Sequence, residues 1–245
     1  MQMMASKCRT KQNGFTLVEL IVVLMILVGL AAVLIPAVTD MVGRTNASTA
    51  TSNISQVAGS IQRYEAQYLA YPDNLDSLMT DLAGTNLDTL SAGLTAVIED
   101  VTLTALSRVP LTNAGISNVG VHTAGDNTFQ LATSTALTDT AVLNGLTAAA
   151  QQALGLETTG VSGKYLVFGV GALCDLNGKT NLDAPVYFPE VGTLNPDTTY
   201  GRFLVVFQIN DGTDPLERAK LVTVITPTGE GLNGGLANYF NIAAN

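Results

Sequence analysis

Between Leu20 and Val38 the chain runs for 19 residues without a charge, and this run limits the fold more than any other feature. At 1.5 Å per residue a helix of that length spans roughly 28 Å, close to the thickness of a bilayer's hydrocarbon core. The run predicts a single membrane-spanning helix occupying residues 15–38. Lys7, Arg9 and Lys11 precede it, whereas Asp40 and Arg44 follow, so the positive-inside rule places the N-terminus in the cytoplasm and the remainder outside. A secretory signal would have a shorter apolar region ending in a small-x-small cleavage site. Here Ala31 and Ala32 lie inside the run. Nor does Cys8 mark a lipoprotein, because no apolar region precedes it.

Glu19 stands at the start of this run. A carboxylate in a membrane helix needs a partner, although at the interface it could reach water and favour the helix N-terminus through the dipole. Its neighbours narrow the choice. Gly14-Phe15-Thr16-Leu17-Val18-Glu19-Leu20, behind a short basic leader, resembles the leader junction of type IV pilins and pseudopilins. That resemblance implies a leader over residues 1–14, cut between Gly14 and Phe15 by a prepilin peptidase, and methylation of the new Phe15 amine. It also implies that Glu19 neutralises the Phe15 amine of an adjacent subunit while an inner-membrane platform assembles the filament. Pro36 matches a proline common in that family near the outer end of the span. With Gly29 it predicts a kink or local unwinding, since proline removes a backbone donor and glycine weakens a helix.

Beyond the span, Ala47, Ala50, Ile54, Val57, Ala58, Ile61, Tyr64 and Tyr68 recur at helical steps. The pattern predicts one helix from about Phe15 to Leu69, its exposed half over 39–70, stopped by Tyr71-Pro72. The segment Tyr71-Pro72-Asp73-Asn74-Leu75-Asp76-Ser77-Leu78 is similar to one in many pseudopilins, the major pseudopilin of type II secretion above all. In the head, 71–245, residues 74–108 carry helical spacing (Leu75, Leu78, Leu82, Leu90, Leu94, Val97, Ile98, Val101) closed by Pro110. A strand is expected over Ile116–His122 and a helix over Thr138–Leu154, capped near Asp139. Strands are expected at Tyr165–Val170, Arg202–Ile209 and Leu221–Ile225, with a hairpin loop over Asn210–Lys220. The fold class that follows is α+β: a long N-terminal helix packed on a C-terminal antiparallel sheet, the arrangement the resemblance also implies. The chain departs from adhesive pilins in lacking the cysteines for a C-terminal disulfide loop.

The head holds little that points to chemistry. Removal of the leader would leave 8 basic against 20 acidic residues, a charge of −12, which argues against phosphate-backbone binding, so that no nucleic acid is indicated as a partner. Cys174 would then be the lone thiol, expected as a small buried hydrophobe. His122, the single histidine, has no second ligand at zinc spacing and is expected at the surface or at a strand end. Gly169-Val170-Gly171 lacks the third glycine of a nucleotide fingerprint. Asp175-Leu176-Asn177-Gly178-Lys179 starts like a calcium loop but puts Lys179 at a ligand position. Asp211 and Asp214, in the expected hairpin loop, are the remaining calcium candidates, and no other cofactor is expected. The function expected is therefore structural: a filament subunit of a pilus-like or type II secretion pseudopilus system, with the membrane, the peptidase and sister subunits as partners. The alternative is a permanently anchored external binding module or hydrolase that never enters a filament.

Overall fold

The computed structural model describes residues 15–158, 163–188 and 194–237. The chain divides after Val42 into two compact units. Helix α1, Leu17–Tyr68, runs through the described part of the first and opens the second.

In the first unit the apolar side chains face outward all round: Phe15, Leu17, Met25, Val33 and Ile35 are each more than three-fifths exposed. A helix inside a water-soluble domain buries at least a stripe, but among the described residues none covers these side chains. Helical backbone continues through Gly29 and Pro36. Just past the apolar run the Thr39 hydroxyl donates to the Ile35 carbonyl at 3.0 Å, so the polar side chain is satisfied within its own helix.

From Gly43 onward the helix behaves differently. Ala47, Ala50, Ile54, Val57, Ile61 and Tyr64 are buried, as the three- and four-residue spacing predicts. Tyr68 leaves the stripe and is half exposed, stacking obliquely on Tyr64 at 4.5 Å. The helix stops at Leu69, whose φ of 55° lies in the left-handed region. Arg218 donates to the Leu69 carbonyl at 3.1 Å and pairs with Glu65 at 3.2 Å, which places a cation at the negative end of the helix dipole. A second clamp comes from Lys179, whose ammonium lies 3.0 Å from Asp175, donates to the Tyr64 hydroxyl at 3.2 Å and sits over both the Tyr64 and Tyr68 rings.

Among the described residues the sheet has eight strands: β1 (Leu75–Asp76), β2 (Ile98–Thr102), β3 (Asn118–Val121), β4 (Thr133–Ala136), β5 (Val142–Leu146), β6 (Tyr165–Gly169), β7 (Leu204–Asn210) and β8 (Pro215–Ile225). Strands β6, β7 and β8 form the antiparallel C-terminal sheet that the sequence predicts. The other edge of β6 is shared by β5, at Gly145↔Leu166, and β1, at Asp76↔Gly169. The whole sheet is mixed, because β1 runs parallel to β3 after a long crossover. Both β6 and β7 are buried on both faces, which explains why they read as continuous apolar runs. Leu166, Phe168, Val205 and Phe207 join the core with the α1 stripe, while Tyr165, Val167, Leu204 and Val206 point the other way onto Leu78, Leu87, Leu94 and Ile98.

Three expectations need correction. Residues 74–108 are not a helix: they give β1, a four-residue helix α2 (Ala92–Thr95) capped by Ser91, and β2. The leucines at helical spacing are core residues of two different faces, Leu75 on one and Leu78 on the other, and β-branched Val97, Ile98 and Val101 belong to a strand environment. Pro110 does not close a helix but lies inside α3 (Ala105–Asn113), which starts with a Thr104–Ser107 capping box. Residues 138–154 split into β5, paired residue for residue with β2, and a six-residue helix α4 (Ala148–Ala153) capped by Thr147. Asp139 caps nothing there and instead pairs with Arg108 at 2.5 Å. The expected hairpin loop also shrinks to 211–214, because β8 begins at Pro215.

Candidate functional site

The N-terminal turn of α1 is assembled from three neighbouring residues. Thr16 precedes the first helical residue, and its hydroxyl accepts a hydrogen bond from Glu19 N at 3.3 Å. In return Glu19 Oε2 accepts from Thr16 N and from the Thr16 hydroxyl, each at 2.8 Å. This is a capping box: two side chains reciprocally satisfy amides that the first turn of a helix leaves without carbonyl partners. Glu19 therefore has a partner inside its own chain, and Phe15, directly before Thr16, is 89% exposed. Gly14 lies outside the described residues. Sequence reasoning singled out Glu19 and missed Thr16, although the Thr-x-x-Glu spacing before an apolar run was the available signal.

The other residues singled out from the sequence lie elsewhere in the fold. Asp211 Oδ1 accepts from Thr213 N at 2.8 Å and Asp214 N at 2.9 Å, organising the β7–β8 turn. Those amides hold the Asp211 carboxyl below the usual range, that of Asp214 first. Among the described residues no group of three or more His, Cys, Asp or Glu side chains is arranged to hold a metal ion. Lys179 occupies the Asp175 loop as its internal cation. Cys174 is buried, and burial pushes its thiol up to about 12, which suits a hydrophobe and not a nucleophile.

His122 is not at the surface: its side chain is 2% exposed at the end of β3, between Asp76 and Asp126. Of the two placements expected, the strand end holds and the surface does not, because a polar, glycine-containing sequence reads as a loop whether it is solvated or folded over a buried group. Gly169 and Gly171 have their role here. A side chain at the first would strike the Tyr200 hydroxyl, and at the second the Asp76 carboxylate, so the Gly-x-Gly pair makes room for buried polar groups.

These features define a class: an α+β chain of pilin-like arrangement with an uncovered apolar N-terminal helix, in which the prokaryotic N-terminal methylation motif matches residues 9–35. Within it, the chain is similar to the type II secretion system core protein G of Pseudomonas aeruginosa, with 34% identity over 70 residues that make up 29% of this chain and 49% of that protein. The chain thus spans about half the length of the curated relative it matches. No solved structure matches it. The motif and the exposed apolar helix together fit anchoring in a membrane.

Proposed function

We propose that the chain is a structural subunit of a type IV pilus-like or type II secretion pseudopilus filament. The observation that carries this reading is an uncovered apolar helix whose first turn holds a carboxylate, Glu19, four residues after an exposed Phe15. In the precursor, prepilin peptidase cuts between Gly14 and Phe15 on the cytoplasmic side, and the Phe15 amine is methylated. The basic leader holds the N-terminus inside and the head outside the inner membrane. The apolar helices of neighbouring copies then cover one another, which removes from lipid or water the surface that the single chain leaves bare. An inner-membrane platform drives that assembly.

Glu19 sets the register. In the unassembled subunit the capping box satisfies the carboxylate; in the filament it faces the Phe15 amine of the next copy, a charged partner worth more than a hydroxyl in a low-dielectric setting. The exchange predicts that Glu19→Ala and Glu19→Gln both enter the membrane and are cleaved, yet both fail to enter filaments, because glutamine keeps the hydrogen bond but not the charge. Shearing and sedimentation of filaments from cells producing each variant checks this; Glu19→Gln filaments at wild-type yield would overturn the ionic role. Calcium at the β7–β8 turn is a separate reading, with Asp211 Oδ2 and the Asp214 carboxylate as donors. It predicts a higher melting temperature in calcium than in chelator, and equal melting temperatures remove it.

A further inference from the structure

The chain's single histidine is held between two carboxylates in the interior of the head. His122 Nε2 lies 3.4 Å from Asp76 Oδ2, and Nδ1 lies 3.6 Å from Asp126 Oδ2. The Asp76 side chain is 3% exposed and that of Asp126 18%. Tyr200 completes the cluster: its hydroxyl donates to Asp76 Oδ2 at 2.7 Å, and its ring meets the imidazole edge-on at 5.8 Å. Asp76 Oδ1 and both imidazole nitrogens are buried without a hydrogen bond of good geometry.

Charge balance decides what state this cluster needs. Among the described residues neither Asp76 nor Asp126 pairs with a lysine or arginine. Farther out, Cys174 senses Asp76, while Arg202 acts on Tyr200; Arg202 itself donates to the Thr128 and Ala184 carbonyls. Among the described residues the imidazole is thus the ionisable base that lies within 3.6 Å of both carboxylates. Protonated, it can donate from both nitrogens, one toward each carboxylate. Neutral, it can donate to one only: toward Asp76 it leaves Asp126 with the Thr123 amide, and toward Asp126 it leaves the more deeply buried Asp76 opposed by the Tyr200 phenol, each a costlier arrangement in a low-dielectric interior than a shared cation.

The cluster also joins segments distant in sequence. Asp76 comes from β1, Asp126 from the loop after β3, and Tyr200 from the segment before β7. Asp126 Oδ2 accepts from Thr123 N at 2.8 Å, and the Asp126 carbonyl accepts from the Thr89 hydroxyl. The Thr128 hydroxyl accepts from Gly201 N at 2.8 Å and donates to the Thr199 carbonyl at 2.7 Å. Loosening at His122 therefore propagates to residues 123–132 and 196–202 together.

We propose that His122 is a proton-operated tie which, when charged, fastens the 123–132 loop and the 196–202 segment to β1, and which releases that corner of the head as the surroundings become alkaline. The titration agrees in direction. Burial alone would lower the imidazole's affinity for a proton, but the closely facing carboxylates of Asp76 and, next, Asp126 more than reverse this and raise its pKa. A raised histidine pKa contributes stability that is fully present below the unfolded value of about 6.5 and is lost as pH rises through the folded value. Each unit of upward shift is roughly tenfold in the folded-to-unfolded ratio.

The test uses the full chain in detergent micelles with ring-labelled histidine, whose one resonance is assigned without ambiguity. The expected result is a midpoint above pH 6.5, with amide exchange in 123–132 and 196–202 accelerating through the same interval. Asp126→Asn should move the midpoint down, and His122→Gln should abolish the pH dependence of exchange across it. A wild-type midpoint at or below 6.5, or exchange that stays pH-dependent in His122→Gln, overturns the proposal. Should His122→Gln fail to fold, the wild-type midpoint and its shift in Asp126→Asn decide.

Discussion

Thr16 and Glu19 show how much one turn of helix can hold. A capping box satisfies amides at the start of an apolar helix where no solvent can be relied upon. Thr16→Val removes the hydroxyl that both accepts from Glu19 N and donates to its carboxylate, so faster hydrogen exchange is expected at the amides of 17–20 in micelles; unchanged exchange would show that the box contributes nothing there. Deeper in the head, Gly171→Ala puts a methyl group onto the Asp76 carboxylate. An overpacked core of this kind loses about 1–3 kcal/mol, which denaturant unfolding measures. Of these residues, Glu19 was legible because a carboxylate in an apolar run demands an explanation. The partners of His122 were not, since Asp76 and Tyr200 come from 124 positions apart and no local pattern links them.

At the scale of elements, the clearest physics is where α1 ends. Leu69 takes a left-handed conformation that a Cβ disfavours, while its side chain remains exposed. Leu69→Gly is therefore expected to stabilise the head by about 0.5–1 kcal/mol, read as a raised urea midpoint; a lowered midpoint would mean that the leucine side chain contributes more than its exposure suggests. The head half of α1 and strands β6 and β7 could be read in advance, because a helical stripe and an unbroken apolar run each have one simple interpretation. The stretches 74–108 and 138–154 could not. Their leucines and alanines recur at helical steps, but a fold that lays successive leucines on opposite faces of one sheet produces the same spacing without a helix. Where β2 and β5 pair, the long-range partner overrides the local pattern.

For the whole molecule, two surfaces of opposite character have to be reconciled. The described part of the first unit presents apolar side chains in every direction, and the chain without residues 1–14 would carry −12 overall. Such a chain needs a non-aqueous cover for the apolar helix and water for the head, which a membrane and then the core of the proposed filament would supply in turn. The proposed assembly requires processing that frees the Phe15 amine, and the most direct test is N-terminal mass spectrometry of the protein from its native host, with and without the prepilin peptidase. The predicted result is a chain beginning at methylated Phe15 when the peptidase is present and retaining residues 1–14 when it is absent. A protein that keeps those residues in the presence of the active peptidase would contradict it.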